Sequence, residues 1–557
     1  VQVAPLRRLA IAAACSLIAI AALAGTSAGS SVAPLRATAP RLIAHDTSGR
    51  PAARHIPKRQ VTTKALAGPR VYNDSTTDAN VSNTSSDIGL TQFVVGSHTY
   101  FDVFSRAGGT FPLLAVFSHA SFWAGLTVPD AAGLCATNPQ GQPSVSYDRI
   151  ADRWVISEAA FALDSNGNPV APYVQCVAVS TSPDATGTWS RYVFQVSNSL
   201  FPDRPALGVW GDGYYLSFNQ HTASGAWAGA GALALERSKM LTGAAAQARY
   251  FDLEGVTPGL GGMLPATVSG ANAPVGGAKE LYLQAHDDPA NINDRLEVWT
   301  FHVDWTAPVT GSTFEPLVNL PLNGGGFGIS TTFSCGTPAV SACLQQKSSA
   351  QMLDPLAQAH ADSTDALPQL GGRLEWGRSA GGDETLTATA TLQLGGNLAR
   401  PGVFELSNTG GAGWGIGSWW GYNPADTINR FLPSAALDNS GEVGLAYVKA
   451  DQNTFPTTAY TNASDASFGE TDLDVGTAPF AGGATYGRYT SLSLDPVDLC
   501  TFWFSGPYPD PAGDFAFDSF SFPTCVASTT EPPLLTADPS WTAPLVREGL
   551  TITGQSG

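Results

Sequence analysis

The stretch from Pro143 to Glu158, PSVSYDRIADRWVISE, most narrows what this chain can fold into. Val145 and Tyr147 alternate with Ser144 and Ser146. Asp148, Arg149 and Asp152 fill a polar break, and Trp154 to Ile156 resume the apolar run. Period-two alternation around an Asp-rich break predicts two antiparallel strands and a tight turn. The design recurs as PALGVWGDGYYLSFN from Pro205, PSAALDNSGEVGLAYV from Pro433 and YTSLSLDPVDLCTFWF from Tyr489. Ser144, Ser434 and Ser491 each stand four residues ahead of a turn aspartate, Asp148, Asp438 and Asp495. Such a repeat predicts the inner hairpin of a propeller blade, carried round a ring.

The spacing sets the blade count. Position 205 follows 143 by 62 residues and 489 follows 433 by 56, and the 228 residues between 205 and 433 hold four such intervals. An all-β propeller of seven blades is expected, with six and eight as the alternatives. GLTQFVVGSHTYFDVFSRAGG, from Gly89, reads as the first blade. Strand pairs are also expected at 280–285 with 296–303 and at 373–392, while the Gly/Pro/Ser-rich stretches 256–279 and 306–370 read as loops or insertions.

The 59 Gly and 39 Pro punctuate the chain throughout, no long pattern of period 3.6 appears, and only 13% of residues are charged. That composition fits an all-β fold with a substantial core. The net charge is -18, but residues 1–70 carry ten of the 28 Lys and Arg and one acid, Asp46. The remainder has 18 basic and 45 acidic residues, or -27. A body so acidic repels nucleic acid and anionic membranes.

Arg7 and Arg8 precede an apolar run from Leu9 to Ala24, and Thr26-Ser27-Ala28 is a small-residue cleavage site, so 1–28 reads as a secretory signal. Residues 29–70, basic and rich in Ala, Pro and Thr, read as a disordered linker or a propeptide. The propeller is expected over 71–525, and 526–557 reads as a disordered linker or tail. The expected product is a secreted, extracellular monomer with no membrane span once the signal is removed. Apart from Cys15 in the signal, the cysteines are Cys135, Cys176, Cys335, Cys343, Cys500 and Cys525. An even number in an exported chain points to three disulfides, of which local pairing (135–176, 335–343, 500–525) is the simplest of fifteen connectivities. No close Cys/His cluster suggests zinc. His286-Asp287-Asp288, followed by Asn291, Asn293 and Asp294, reads as a polar turn sooner than a metal site. No cofactor is expected beyond a structural calcium ion.

SPDATGTW, Ser182 to Trp189, nearly matches the Asp-box of sialidase-type propellers, Ser-x-Asp-x-Gly-x-x-Trp, with the Gly one place late. It is expected to be structural: Ser and Asp side chains bond turn amides, and the Trp plugs the gap between blades. Together with SVSYDRIADRWVISE, CVAVSTSPDATGTW, PALGVWGDGYYLSFN, LEVWTFHVDW, GDETL and SLSLDPVDLCTFWF, the chain resembles a family of secreted bacterial β-propeller proteins of unassigned function, over most of residues 85–525. The resemblance implies a propeller and export, and no activity. Members of that family tend to place an acid ahead of the inner hairpins. Here Gln142, Arg204 and Arg488 stand in such places, while Asp203, Asp383 and Glu384 keep the acidic character.

Residues just ahead of each inner strand are expected to line the mouth of the central channel, the default ligand site of a ring. They are Gln142, Asp203, Arg204, Asp383, Glu384, Arg430, Arg488 and Tyr489. Three converging guanidinium groups, from Arg204, Arg430 and Arg488, would hold a carboxylate, sulfate or phosphate in forked hydrogen bonds. Sialidase-like propellers use such a cluster with a Tyr–Glu nucleophile and an Asp acid. The corresponding catalytic candidates are Tyr489, Glu384, Asp203 and Asp383. The opposing structural reading is that these arginines tie blades together by pairing with neighbouring acids. Trp419 and Trp420, with Trp414 and Tyr422, are expected to stack on sugar rings or to pack between blades. The functional expectation is a carbohydrate-active propeller, a hydrolase or lyase acting on an extracellular, anionic polysaccharide. The alternative is a non-catalytic module for surface binding or adhesion to a cell-surface ligand.

Overall fold

The computed structural model describes residues 37–51, 84–106, 111–126, 133–253, 260–288, 293–307, 309–322, 344–353, 358–361, 366–394, 398–465, 467–480, 489–510 and 513–527. The signal, most of the tail, Cys335, Cys343, Arg488 and Asn291 lie outside these residues. No helix among the described residues is long and apolar enough to cross a membrane.

The chain is a β-propeller. Among the described residues, seven sheets follow one another in sequence, each built as an antiparallel meander. Their innermost strands are Ser85–Ile88, Ser144–Asp148, Leu200–Val209, Leu264–Val268, Leu370–Arg378, Asn429–Leu437 and Ser491–Leu494, here blades 1 to 7. Each inner strand contacts the next, and the last contacts the first, so the ring closes. Blades 4 and 5 go further: Ala266 to Val268 pair in parallel with Leu374 to Trp376, which fuses the two sheets.

The recurring serines explain how the ring is stitched. Ser85 Oγ accepts from Val145 N (2.9 Å), Ser434 Oγ from Leu492 N (2.9 Å) and Ser491 Oγ from Ser86 N (3.1 Å). Ser144 Oγ donates to Pro205 O (2.6 Å). Adjacent inner strands are too far apart for a full ladder, so a short hydroxyl side chain satisfies the buried backbone group facing the next blade. Large apolar side chains fill the space between blades. Trp123, Trp154, Trp189, Trp210 and Trp376 are all essentially solvent-free.

The Asp-box-like turn sits between Pro169–Ser180 and Trp189–Ser197, the outer hairpin of blade 2. Asp184 Oδ1 accepts from Thr186 N (2.9 Å), and Trp189 packs edge-on to Phe122 with ring centres 5.2 Å apart. The disulfides Cys135–Cys176 and Cys500–Cys525 are present. The expected Cys335–Cys343 pair lies outside the described residues.

Three stretches differ from the sequence reading. Within 306–370, read as loops or insertions, Thr313–Pro321 is the outer strand of blade 4, placed by pairing with Arg295–His302. Within 29–70, Arg41–Gly49 is a strand, added in antiparallel register to the outer edge of blade 2, and Arg191 holds Asp46 at 2.5 Å. Its apolar content is low because an edge strand is bought with backbone hydrogen bonds and one ion pair, which leave no strong pattern in sequence. Within 256–279, Leu264–Val268 is the inner strand of blade 4. It is short, and a long Gly/Ala/Pro-rich stretch, 269–279, follows it in place of the tight Asp turn that marks the other units.

Candidate functional site at the two ends of the axis

All seven inner strands run in the same direction along the axis, so the ring has a strand-start end and a turn end. Gln142, Asp203, Arg204 and Tyr489 gather at the strand-start end. Gln142 Nε2 donates to Asp203 Oδ1 (3.1 Å), Gln142 Oε1 accepts from Arg204 N (2.7 Å), and Tyr489 OH donates to Pro143 O (3.0 Å). Arg204 and Tyr489 line a depression of about 40 Å³ together with Ser144, Gln369 and Arg373, while Gln142 and Asp203 stand outside its lining.

Arg430 does not join them. It is buried beside Asp426 (2.8 Å) and Glu470 (2.5 Å), inside blade 6, with Tyr422 under its guanidinium at 5.6 Å. Its flanking carboxylates drive its pKa upward against the cost of burial. The cause of the displacement is a bulge. Arg204 (φ 55°) and Leu432 (φ 52°) occupy the same irregular position, each just before a proline, so Arg204 corresponds to Leu432 and Arg430 lies two residues earlier. The two arginines therefore stand at different offsets from a shared bulge, one and three residues before its proline, and are placed differently. Arg430, paired inside its blade, does not converge with Arg204, and Arg488 lies outside the described residues.

Asp383 and Glu384 are at the other end. They lie in and after the turn joining Leu370–Arg378 to Glu384–Leu394, the inner hairpin of blade 5. Glu384 accepts from Asn408 Nδ2 (2.8 Å) and Asp383 from Gly410 N (2.8 Å). A proton relay between Glu384 and Tyr489 is excluded by this separation along the axis. Trp419 and Trp420 are on the outermost strand of blade 5, Gly415–Gly421, where Trp419 stacks on Phe404 (6.4 Å) and Trp420 packs towards blade 6. They are inter-blade packing at the rim and do not form a platform over the axis. His286 Nε2 is 3.1 Å from Glu297, and no group of three or more His, Cys, Asp or Glu among the described residues could hold a metal ion.

The axis between the two ends is plugged. Arg373 Nη1 pairs with Asp87 Oδ2 (2.6 Å), and its Nη2 donates to Ser86 O (2.8 Å) and to Val145 O. Arg149 reaches across to Leu494 O. Glu375 lies beyond, fully buried. Burial raises its pKa to about 7, while Arg373 and Arg149 pull it down and Asp87 raises it. None of Asp87, Arg149, Arg373 and Glu375 was among the candidates from sequence. The available signal was GGRLEW, in which Arg373 and Glu375 stand two residues apart on an inner strand.

At the turn end the axis opens into a cavity of about 390 Å³. Blades 4 to 7 all contribute to its wall, with Asn272, Glu375, Trp376, Arg378, Asp383 and Asp438 as its polar lining.

No protein-family model matches the sequence, and no curated protein matches it. Among solved structures, similar chains include a protein of unknown function from Dyadobacter fermentans DSM 18053, at 12% identity and a TM-score of 0.33, covering 68% of this chain and 93% of that one. A polysaccharide lyase, an ulvan lyase bound to an oligosaccharide, gives 12% identity and 0.30 over 88% and 96%. An α-L-arabinofuranosidase from Fusarium graminearum gives 9% and 0.35 over 83% and 98%. At these values nothing about the activity of this chain follows from the likeness.

Proposed function

We propose that this chain is an exported, carbohydrate-active propeller that engages extracellular polysaccharide at the strand-start mouth of its axis. The observation that carries the reading is the depression lined by Arg204 and Tyr489, with Gln142 and Asp203 bonded to each other at the same end of the axis, the four residues coming from three blades. Amide, carboxylate, guanidinium and phenol together offer the donors, acceptors and ring face that a hydroxyl-rich chain needs. Two disulfides support export, because such bonds persist in oxidising compartments.

Hydrolysis or elimination at this mouth would use Asp203 as the acid–base group with Tyr489 beside the substrate. The second reading, binding without chemistry, is favoured by the shallowness of the depression and by the position of Glu384 at the far end. The two are separated by incubating the purified chain with neutral and acidic polysaccharides and following both retention and release of chain ends. Catalysis requires new ends in the wild type and none in D203N. Retention without new ends, lost in the R204A/Y489A double variant, supports binding alone. Neither retention nor release across the panel removes the proposal.

A further inference from the structure

The turn aspartates of three blades occupy the same place in the inner hairpin and use their first oxygen in the same way. Asp148 Oδ1 accepts from Ile150 N (3.1 Å), Asp438 Oδ1 from Ser440 N (2.8 Å) and Asp495 Oδ1 from Val497 N (2.8 Å). Their second oxygens differ. Asp148 Oδ2 takes Arg237 Nε (2.6 Å) and Tyr214 OH (2.9 Å), and Asp495 Oδ2 takes Arg106 Nη2 (2.7 Å) and Trp503 Nε1 (2.9 Å). Asp438 Oδ2 is buried and has no hydrogen-bond partner.

The blade tryptophans show the same exception. Trp154 donates to Pro183 O (3.1 Å), Trp189 to Ala185 O (3.1 Å) and Trp210 to Ala278 O (2.9 Å). Trp376 Nε1, equally buried, has no acceptor, and Glu375 Oε1 has no donor. Asp438, Trp376 and Glu375 all line the turn-end cavity of about 390 Å³. A buried polar atom left unpaired is costly, and the fold satisfies the second oxygens of Asp148 and Asp495 and the indoles of Trp154, Trp189 and Trp210. The unpaired Asp438 Oδ2 and Trp376 Nε1, with Glu375 Oε1 beside them on one cavity, therefore point to a missing polar occupant. The size is that of a small-ligand site.

We infer that the turn-end cavity is a binding site for an uncharged, hydroxyl-bearing ligand of the size of one or two sugar rings, held by Glu375, Asp438 and the Trp376 indole. It is separate from the strand-start mouth, from which the Arg373–Asp87 pair divides it. Hydroxyl groups both donate and accept, which is what this lining requires. Asp438 accepts, the indole N–H donates, and Glu375 does either in its neutral form. Burial favours that neutral form, with Arg373, Arg149, Asp87 and the Ser269 hydroxyl as the groups facing it. Few cations are available to neutralise an acidic ligand: Arg378 is the one cationic side chain in the described wall, against Asp383 and Asp438.

The test is equilibrium binding, by calorimetry and thermal shift, of the full chain with glucose, galactose, mannose, xylose and their disaccharides. Glucuronate and calcium chloride serve as comparators. At least one neutral sugar is expected to bind saturably, more tightly at about pH 5 than at about pH 8 because ionised Glu375 loses its donor. E375Q is expected to bind and to lose that pH dependence, while E375L weakens binding by about tenfold or more. N439W, at the exposed rim, obstructs the cavity without touching the buried acids, so a poorly folded E375L leaves the proposal testable. K279A, at an exposed residue outside both linings, is expected to bind as the wild type does. The proposal is overturned if no neutral sugar binds saturably, if N439W and E375L bind unchanged, or if calcium or glucuronate alone stabilises the chain.

Discussion

Arg373 Nη1 lies 2.6 Å from Asp87 Oδ2, which ties the inner strand of blade 5 to that of blade 1 through the centre of the ring. Asp87 is also fixed by Ile88 N (2.8 Å) and by Tyr147 N of blade 2 (2.8 Å). One guanidinium thus holds three blades together where the inner strands leave a channel. Removing one partner of a buried pair leaves the other charge uncompensated, a loss of about 3–5 kcal/mol. R373A should show that loss in its urea midpoint, with the far-UV spectrum unchanged. A midpoint equal to that of the wild type would mean that the pair is solvated and does not brace the ring.

The pH dependence of stability follows from two buried acids. Burial holds Glu375 up at about 7 and Asp212 up at about 6. In the unfolded chain both release their protons at ordinary carboxylate values, so between those values and the raised ones the folded chain binds more protons. Stability from these groups is complete at low pH and is lost as pH rises through about 6 to 7. The share of Glu375 is on the order of 3 kcal/mol. Denaturation midpoints should therefore fall from about pH 5 to about pH 8. E375Q should flatten part of that slope. A slope unaltered in E375Q would contradict the burial of this carboxyl.

Much of this ring was readable in the sequence, and the reasons are local. The hairpins from Pro143, Pro205, Pro433 and Tyr489 carry their own alternation and turn residues, and each folds as read. Serines at fixed offsets from turn aspartates announced a repeat, and they prove to be the inter-blade stitches. The inner strand of blade 4 was invisible because it is five residues long and is followed by a long Gly-rich connection in place of an Asp turn. Arg430 was grouped with Arg204 although it stands two residues further ahead of its proline, and only the shared bulge at Arg204 and Leu432 shows that the two are not equivalent. The site suffered most. Asp383 and Glu384 were read as preceding an inner strand although they fall in the middle of the pair expected at 373–392, and the inner strand, Leu370–Arg378, comes before them. Two charges on that strand, Arg373 and Glu375, are the axial groups. Asp438 looked like a turn former, which it is, but only comparison with Asp148 and Asp495 in three dimensions shows its spare oxygen.

The disulfides are expected to act independently of the axis. Cys135–Cys176 closes a separation of 41 residues and Cys500–Cys525 one of 25. In the chain-entropy model loops of such length contribute about 3–4 kcal/mol each. C135S/C176S and C500S/C525S should each lower the unfolding midpoint, and their effects should add because the bonds lie in different blades. Combined loss well below the sum would show that the two blades unfold as one coupled unit.

The position of a bound glycan tests the central claim most directly. The measurement is a crystal structure of the chain soaked with an oligosaccharide cut from whichever polysaccharide it retains. The expected result is a sugar chain crossing the strand-start mouth in hydrogen-bond contact with Asp203, Arg204 and Tyr489. Oligosaccharide bound only on the outer strands, with the mouth unoccupied, would contradict it.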